Sequence, residues 1–218
     1  RFEYNEWTIP DDVIFLTLGA DVQEGSKVDK KNPPRIELEI CGHGRGYKTF
    51  SIGYKIFYGK TTQMFSGAWK LLEEWLKETG LYFKREDGIG LNVVFGLIDS
   101  GHGGYIDCVY QFCNNYKNIF PSKGFRELKI RPGEKNKKDI RSSGDKIKYR
   151  STRVDNDTLL YSVNTIIYKD SIYNNIQIPK QSEHVQKAGF CAFPKQYKIE
   201  YFKQLTSEKK RIDKNGSS

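Results

Sequence analysis

The chain has 218 residues, 29% of them charged and 14% aromatic, with 36 basic against 27 acidic side chains and a net charge of +9. That length supports one sizeable domain with no need of a disulfide or zinc staple, and the aromatic content excludes a disordered tail. No run approaches the ~20 apolar residues of a membrane span, and four cysteines without a CxxC pair, beside three histidines, argue against a structural zinc site and for a reducing cytoplasm.

The opening RFEYNEWTIPDD is polar and aromatic, begins with Arg1 and shows no signal-peptide pattern. It reads as a lead-in, residues 1–12, from an upstream domain. Val13 to Ala20 (VIFLTLGA) is a short apolar run ending at Asp21, the pattern of a buried strand. Arg35 to Cys41 (RIELEIC) alternates, so it predicts a half-exposed strand, and Tyr47 to Phe57 predicts a third across the GHGRG connection. Three strands in succession imply an antiparallel meander. Between Gln63 and Gly80, Phe65, Ala68, Trp69, Leu72, Trp75 and Leu76 follow helical spacing, with Gly80 where a C-terminal cap belongs.

Leu91 to Ile98 (LNVVFGLI) is nearly all apolar, the signature of a central strand, and it ends at Asp99-Ser100-Gly101. Tyr105 to Tyr116 predicts a second helix, and Asn118 to Pro121 the start of another strand. Leu159 to Val163 predicts a strand, and Asn164-Thr165 caps a helix running to about Tyr173. Ala188 to Phe193 predicts a last short strand and Tyr197 to Lys210 a charged terminal helix. The order is that of an α/β domain of ribonuclease H-like type, an antiparallel meander plus parallel strands flanked by helices, over residues 13–210 with a tail at 211–218. Fold analogy alone does not establish an activity.

The charge is concentrated. Lys123 to Arg153 holds twelve basic and four acidic residues, a difference of +8, so the rest of the chain is nearly neutral. The segment has little periodicity and predicts a long basic loop. Lys129, Arg131, Lys135, Lys137, Lys138, Arg141, Lys146 and Lys148 are its candidate contacts to a nucleic-acid backbone, by sequence-blind and salt-dependent attraction. A solvated loop that only aids solubility is the alternative.

Asp21 and Asp99 each close an apolar strand. A carboxylate at the end of a buried strand is desolvated and needs a compensating cation or donor. Two brought together on adjacent strands would repel unless a hard divalent ion lay between them, and paired Mg²⁺ or Mn²⁺ ions can drive phosphodiester cleavage. The alternative is that each only caps the loop after its strand. His102, in DSGHGG, is an auxiliary candidate for binding phosphate or assisting a water, with a partly exposed loop histidine as the alternative. Glu37 and Glu39 share one face of the second strand, from which one could approach Asp21, although that face reads as exposed. GHGRGYKT is not a phosphate loop, because Tyr47 stands where the Walker pattern needs Gly before Lys48.

LTLGADVQ, RIELEICGHGRGYKTFSI, LIDSGHGGYIDCVYQFC and FPKQYKIEYFKQLTSEK occur in one order. Together they resemble the nuclease domain of the phage lambda-type terminase large subunit, and EWTIPDDV resembles the junction after its ATPase domain. The resemblance covers nearly all of residues 4–210. It implies a metal-dependent endonuclease that cuts concatemeric double-stranded viral DNA with two ions. It places Asp21 and Asp99 at the family's metal-binding acids. It implies a terminase small subunit and a portal as partners, no membrane, and a packaging complex in the host cytoplasm. The family pattern continues to an Asn-Glu…Asp run that would supply a third acid; this sequence ends RIDKNGSS without it, and Asp170, Glu200, Glu208 and Asp213 lie in no such motif. Two other readings keep the fold: a transposase, integrase or resolvase core, and a non-catalytic DNA-binding or motor-docking module.

Overall fold

The computed structural model describes residues 4–26, 28–85, 87–101, 103–129, 140–143, 146–181 and 187–207. The predicted meander is present: β1 (Val13–Gln23), β2 (Arg35–Gly44) and β3 (Thr49–Tyr58) pair antiparallel in sequence. A 3₁₀ turn at Arg45–Tyr47 joins the last two, with Gly46 at φ 69°, so the glycine-rich stretch is a hairpin connection. α1 (Gly67–Thr79) then crosses over, and Gly80 ends it in the left-handed conformation with its N–H on the Leu76 carbonyl. Phe65 falls outside this helix and is exposed, contrary to the helical spacing in which the sequence places it. It has φ 60° in the turn that leads into α1, so its apparent register with Trp69 is accidental.

The short strand β4 (Tyr82–Lys84), which has no periodicity of its own to announce it, pairs antiparallel with β5 (Gly90–Asp99). β5 lies parallel to β1, and α2 (Ile106–Asn114) leads to β6 (Ile119–Phe125), parallel to β5. The order β3-β2-β1-β5-β6, antiparallel on one side and parallel on the other, is that of a ribonuclease H-like sheet. The core lies where α1 and α2 cover one face: Leu16, Leu18, Ile36, Leu38 and Ile40 from the sheet meet Trp69, Leu72, Val109 and Phe112 from the helices.

The basic segment differs from the loop predicted for it. Within 123–153, β7 (Ile140–Ser143) and β8 (Lys146–Arg153) form an antiparallel hairpin, and β8 pairs with β9 (Leu159–Asn164), itself parallel to β6. The sheet thus runs on past β6 as β9-β8-β7. In β8 the strand signal is short but present: Lys146-Ile147-Lys148-Tyr149-Arg150 alternates charged with apolar residues, and Ile147 is fully buried.

Asn164 fastens this extension to α3 (Thr165–Ile176). Its Oδ1 accepts from the Ile167 N–H as a helix cap, and its Nδ2 donates to the Ile147 carbonyl at 3.2 Å. Asn164→Ala removes both bonds at a buried position and should cost about 1–2 kcal/mol in urea unfolding.

Residues 4–12, read from the sequence as a lead-in, pack on the domain. Tyr4 and Ile9 are buried, and Trp7 tilts against Trp75 with ring centroids 5.6 Å apart. At the other end, β10 (Cys191–Ala192) adds to β3 in parallel, and α4 (Ile199–Leu205) is shorter than the helix predicted to Lys210, whose last residues lie outside those described.

Candidate active site

β1 and β5 are parallel neighbours with Ala20 registered against Ile98, so the next residues, Asp21 and Asp99, stand side by side at the ends of adjacent strands. Alternation along each strand turns both carboxylates to the face opposite the main core. Asp21 is exposed, and its Oδ2 accepts from Gln23 Nε2 at 2.5 Å. Asp99 is half-buried, and its Oδ2 accepts from the Tyr105 hydroxyl at 3.2 Å and the Gly101 N–H at 3.3 Å. Burial, with the charge of Asp21 adding to it, pushes the Asp99 carboxyl above its ordinary range. The two donors and the Lys123 ammonium pull the other way without cancelling the shift.

The strand end is held firmly. Ser100 is fully buried, and both its N–H and its Oγ donate to the Ser122 carbonyl, at 2.7 and 2.8 Å. Lys123, one residue further along β6, therefore lies close enough for its charge to act on Asp99. Sequence reasoning counted Lys123 in the basic cluster but did not connect it to the carboxylates. The link appears only once β5 and β6 are paired, with Asp99 against Ser122.

Glu37 is registered directly opposite Asp21, but it and Glu39 do not lie on an exposed face as the alternation predicts. The carboxylate of Glu37 is taken by Arg35 Nε at 2.6 Å, by the Tyr54 hydroxyl and by Gln204 Nε2 at 2.6 Å. Burial raises its pKa, yet these hydrogen bonds outweigh burial and hold it below the usual range. Glu39 is pushed up by burial against the opposing bonds from Ser51 and Tyr201. α4 lies over this face through Tyr201 and Gln204, which stand more than 160 residues away in sequence and carry no local signal. Glu37 and Glu39 thus seat α4.

His102, Arg131, Lys135, Lys137 and Lys138 lie outside the described residues. Arg141 and Lys146 sit on β7 and β8, with side chains outside the description. Lys129 is exposed and Lys148 half-buried on β8. Arg150 is buried, with Nη2 on the Lys129 carbonyl at 2.8 Å, and Arg153 bonds the Asn156 carbonyl at 2.7 Å. Arg150 thus ties β8 to the segment after β6, and Arg153 bonds within the β8–β9 turn. Among the described residues no group of three His, Cys, Asp or Glu side chains is arranged to hold a metal, so the carboxylates seen together are the pair Asp21 and Asp99.

The two carboxylates thus meet at the ends of the sheet's adjacent parallel strands β1 and β5. The family model described as the endonuclease domain of terminase large subunit gpA matches residues 1–218, and the chain belongs to that family. It is a nuclease of DNA packaging, a hydrolase acting on DNA. Searches of curated proteins and of solved structures return no match. Among the described residues, no helix is long and apolar enough to cross a membrane.

Proposed function

We propose that Asp21 and Asp99 form the metal site of a divalent-cation-dependent endonuclease that cuts concatemeric double-stranded DNA by phosphodiester hydrolysis. The observation that carries this reading is their adjacency in register at the ends of β1 and β5, in a chain of an endonuclease family. The donor set suits a hard cation: two carboxylates, one of them desolvated and raised in part by the charge of the other. Bound Mg²⁺ or Mn²⁺, as a pair of ions, would supply an activated water and stabilise the leaving oxygen.

The protein groups divide the remaining work. Asp21 and Asp99 hold the cations, with Gln23 orienting the first and Tyr105 and Gly101 the second. Lys123 adds positive charge beside Asp99, where a DNA phosphate would arrive. The basic hairpin binds the duplex backbone and sets its position without reading sequence. In the full packaging assembly, in the host cytoplasm, the small subunit and portal would act with this domain.

Asp21→Asn keeps the size of the side chain and removes its charge. The variant should lose Mn²⁺-dependent plasmid nicking while retaining DNA binding in a gel-shift assay. Undiminished nicking would remove Asp21 from the site.

A further inference from the structure

The backbone that follows Asp99 is anchored at its root by the two bonds from Ser100 to the Ser122 carbonyl. Near its far end the Glu24 carboxylate lies against Gly104, so close that a Cβ there would stand 2.8 Å from Oε1. Tyr105 follows immediately, at the N-cap of α2, with 5% of its surface exposed. Its ring is fixed in the core while its hydroxyl reaches out to Asp99. That bond and the one from Gly101 both end on Oδ2.

We propose that Tyr105 is a positioning residue for the metal site. Its phenol locks the Asp99 carboxylate by engaging Oδ2, which makes Oδ1 the oxygen offered to the cation. Outer partners of this kind fix a ligand's orientation and typically contribute roughly 10–100-fold to metal affinity. The assignment rests on the proposed metal role of Asp99, and the test separates the two.

Tyr105→Phe keeps the buried ring and deletes only the hydroxyl. Mn²⁺ binding is read by titration calorimetry, and the free ion by electron paramagnetic resonance. Tyr105→Phe should bind Mn²⁺ about 10-fold more weakly. The Mn²⁺ concentration for half-maximal nicking should rise by more than the maximal rate falls. In an Asp99→Asn background, Tyr105→Phe should have no further effect on binding. If Asp99→Asn loses Mn²⁺ binding while Tyr105→Phe stays within twofold of wild type, the positioning role is overturned. If Asp99→Asn binds Mn²⁺ as wild type does, the metal assignment itself fails.

Discussion

Trp69→Ala should lower the unfolding free energy by about 3–5 kcal/mol, a large share of the ~5–15 kcal/mol that holds a domain folded. Trp69 is 1% exposed and packs on Phe112 with ring centroids 5.1 Å apart, so it joins α1 to α2 across the sheet. Its Nε1 donates to the Thr61 carbonyl at 2.8 Å. Truncation therefore leaves a cavity and removes the partner of a carbonyl in the turn that precedes α1, and each loss adds to the cost. Urea unfolding should show a lower midpoint with an unchanged slope. Phe65→Ala is the internal control: that ring is 70% exposed, and its removal should stay within about 0.5 kcal/mol. Equal losses from the two substitutions would contradict the described packing.

Asp99→Asn should have opposite effects on activity and on stability. If metal ligation contributes several kcal/mol to the transition state, losing the carboxylate should reduce nicking by about 10³-fold. Without metal, the same substitution should raise the melting temperature. The sign follows from the raised pKa of Asp99 in the fold: burial and the charge of Asp21 disfavour the ionised form. A carboxyl raised on folding contributes stability below its unfolded pKa and loses that contribution as pH climbs through the folded value. Above that point the wild type keeps a charge that Tyr105, Gly101 and Lys123 compensate only in part and that the amide lacks. The melting difference should therefore be larger at neutral than at acidic pH in metal-free buffer, and it should shrink when Mn²⁺ is added, because only the wild type gains a bound cation. Calorimetry with and without chelator measures both signs.

The elements legible in the sequence were those whose own periodicity identifies them. VIFLTLGA and LNVVFGLI are apolar runs ending in Asp, and their pairing sets Asp21 beside Asp99. The helices follow from spacing and from the caps at Gly80 and Asn164. What stayed hidden was polar contact between distant segments. Glu37 and Glu39 look solvent-facing in an alternating strand because nothing local announces Tyr201 and Gln204. Lys123 looks like one of many cations until β6 places it by Asp99. The β7–β8 hairpin was hidden by the weight of charge around it, although Lys146-Ile147-Lys148-Tyr149-Arg150 alternates about the buried Ile147. Tyr4, Trp7 and Ile9 stand among polar residues and show no period.

The first and last described segments are tied to each other. The Lys195 N–H donates to the Tyr4 carbonyl at 3.1 Å, the Glu6 N–H to Gln196 Oε1 at 3.0 Å, and β10 pairs with β3. This fixes an order of assembly. As the chain leaves the ribosome, β1, β2 and β3 can zip together from near neighbours, but the outer edge of β3 must wait for residues some 140 positions later. The segment containing Tyr4 cannot complete its contacts until Lys195 and Gln196, some 190 positions later, have been made. Loop closure over such separations is slow, so in refolding the meander should gain hydrogen-exchange protection before Tyr4, Thr49 and Phe50 do.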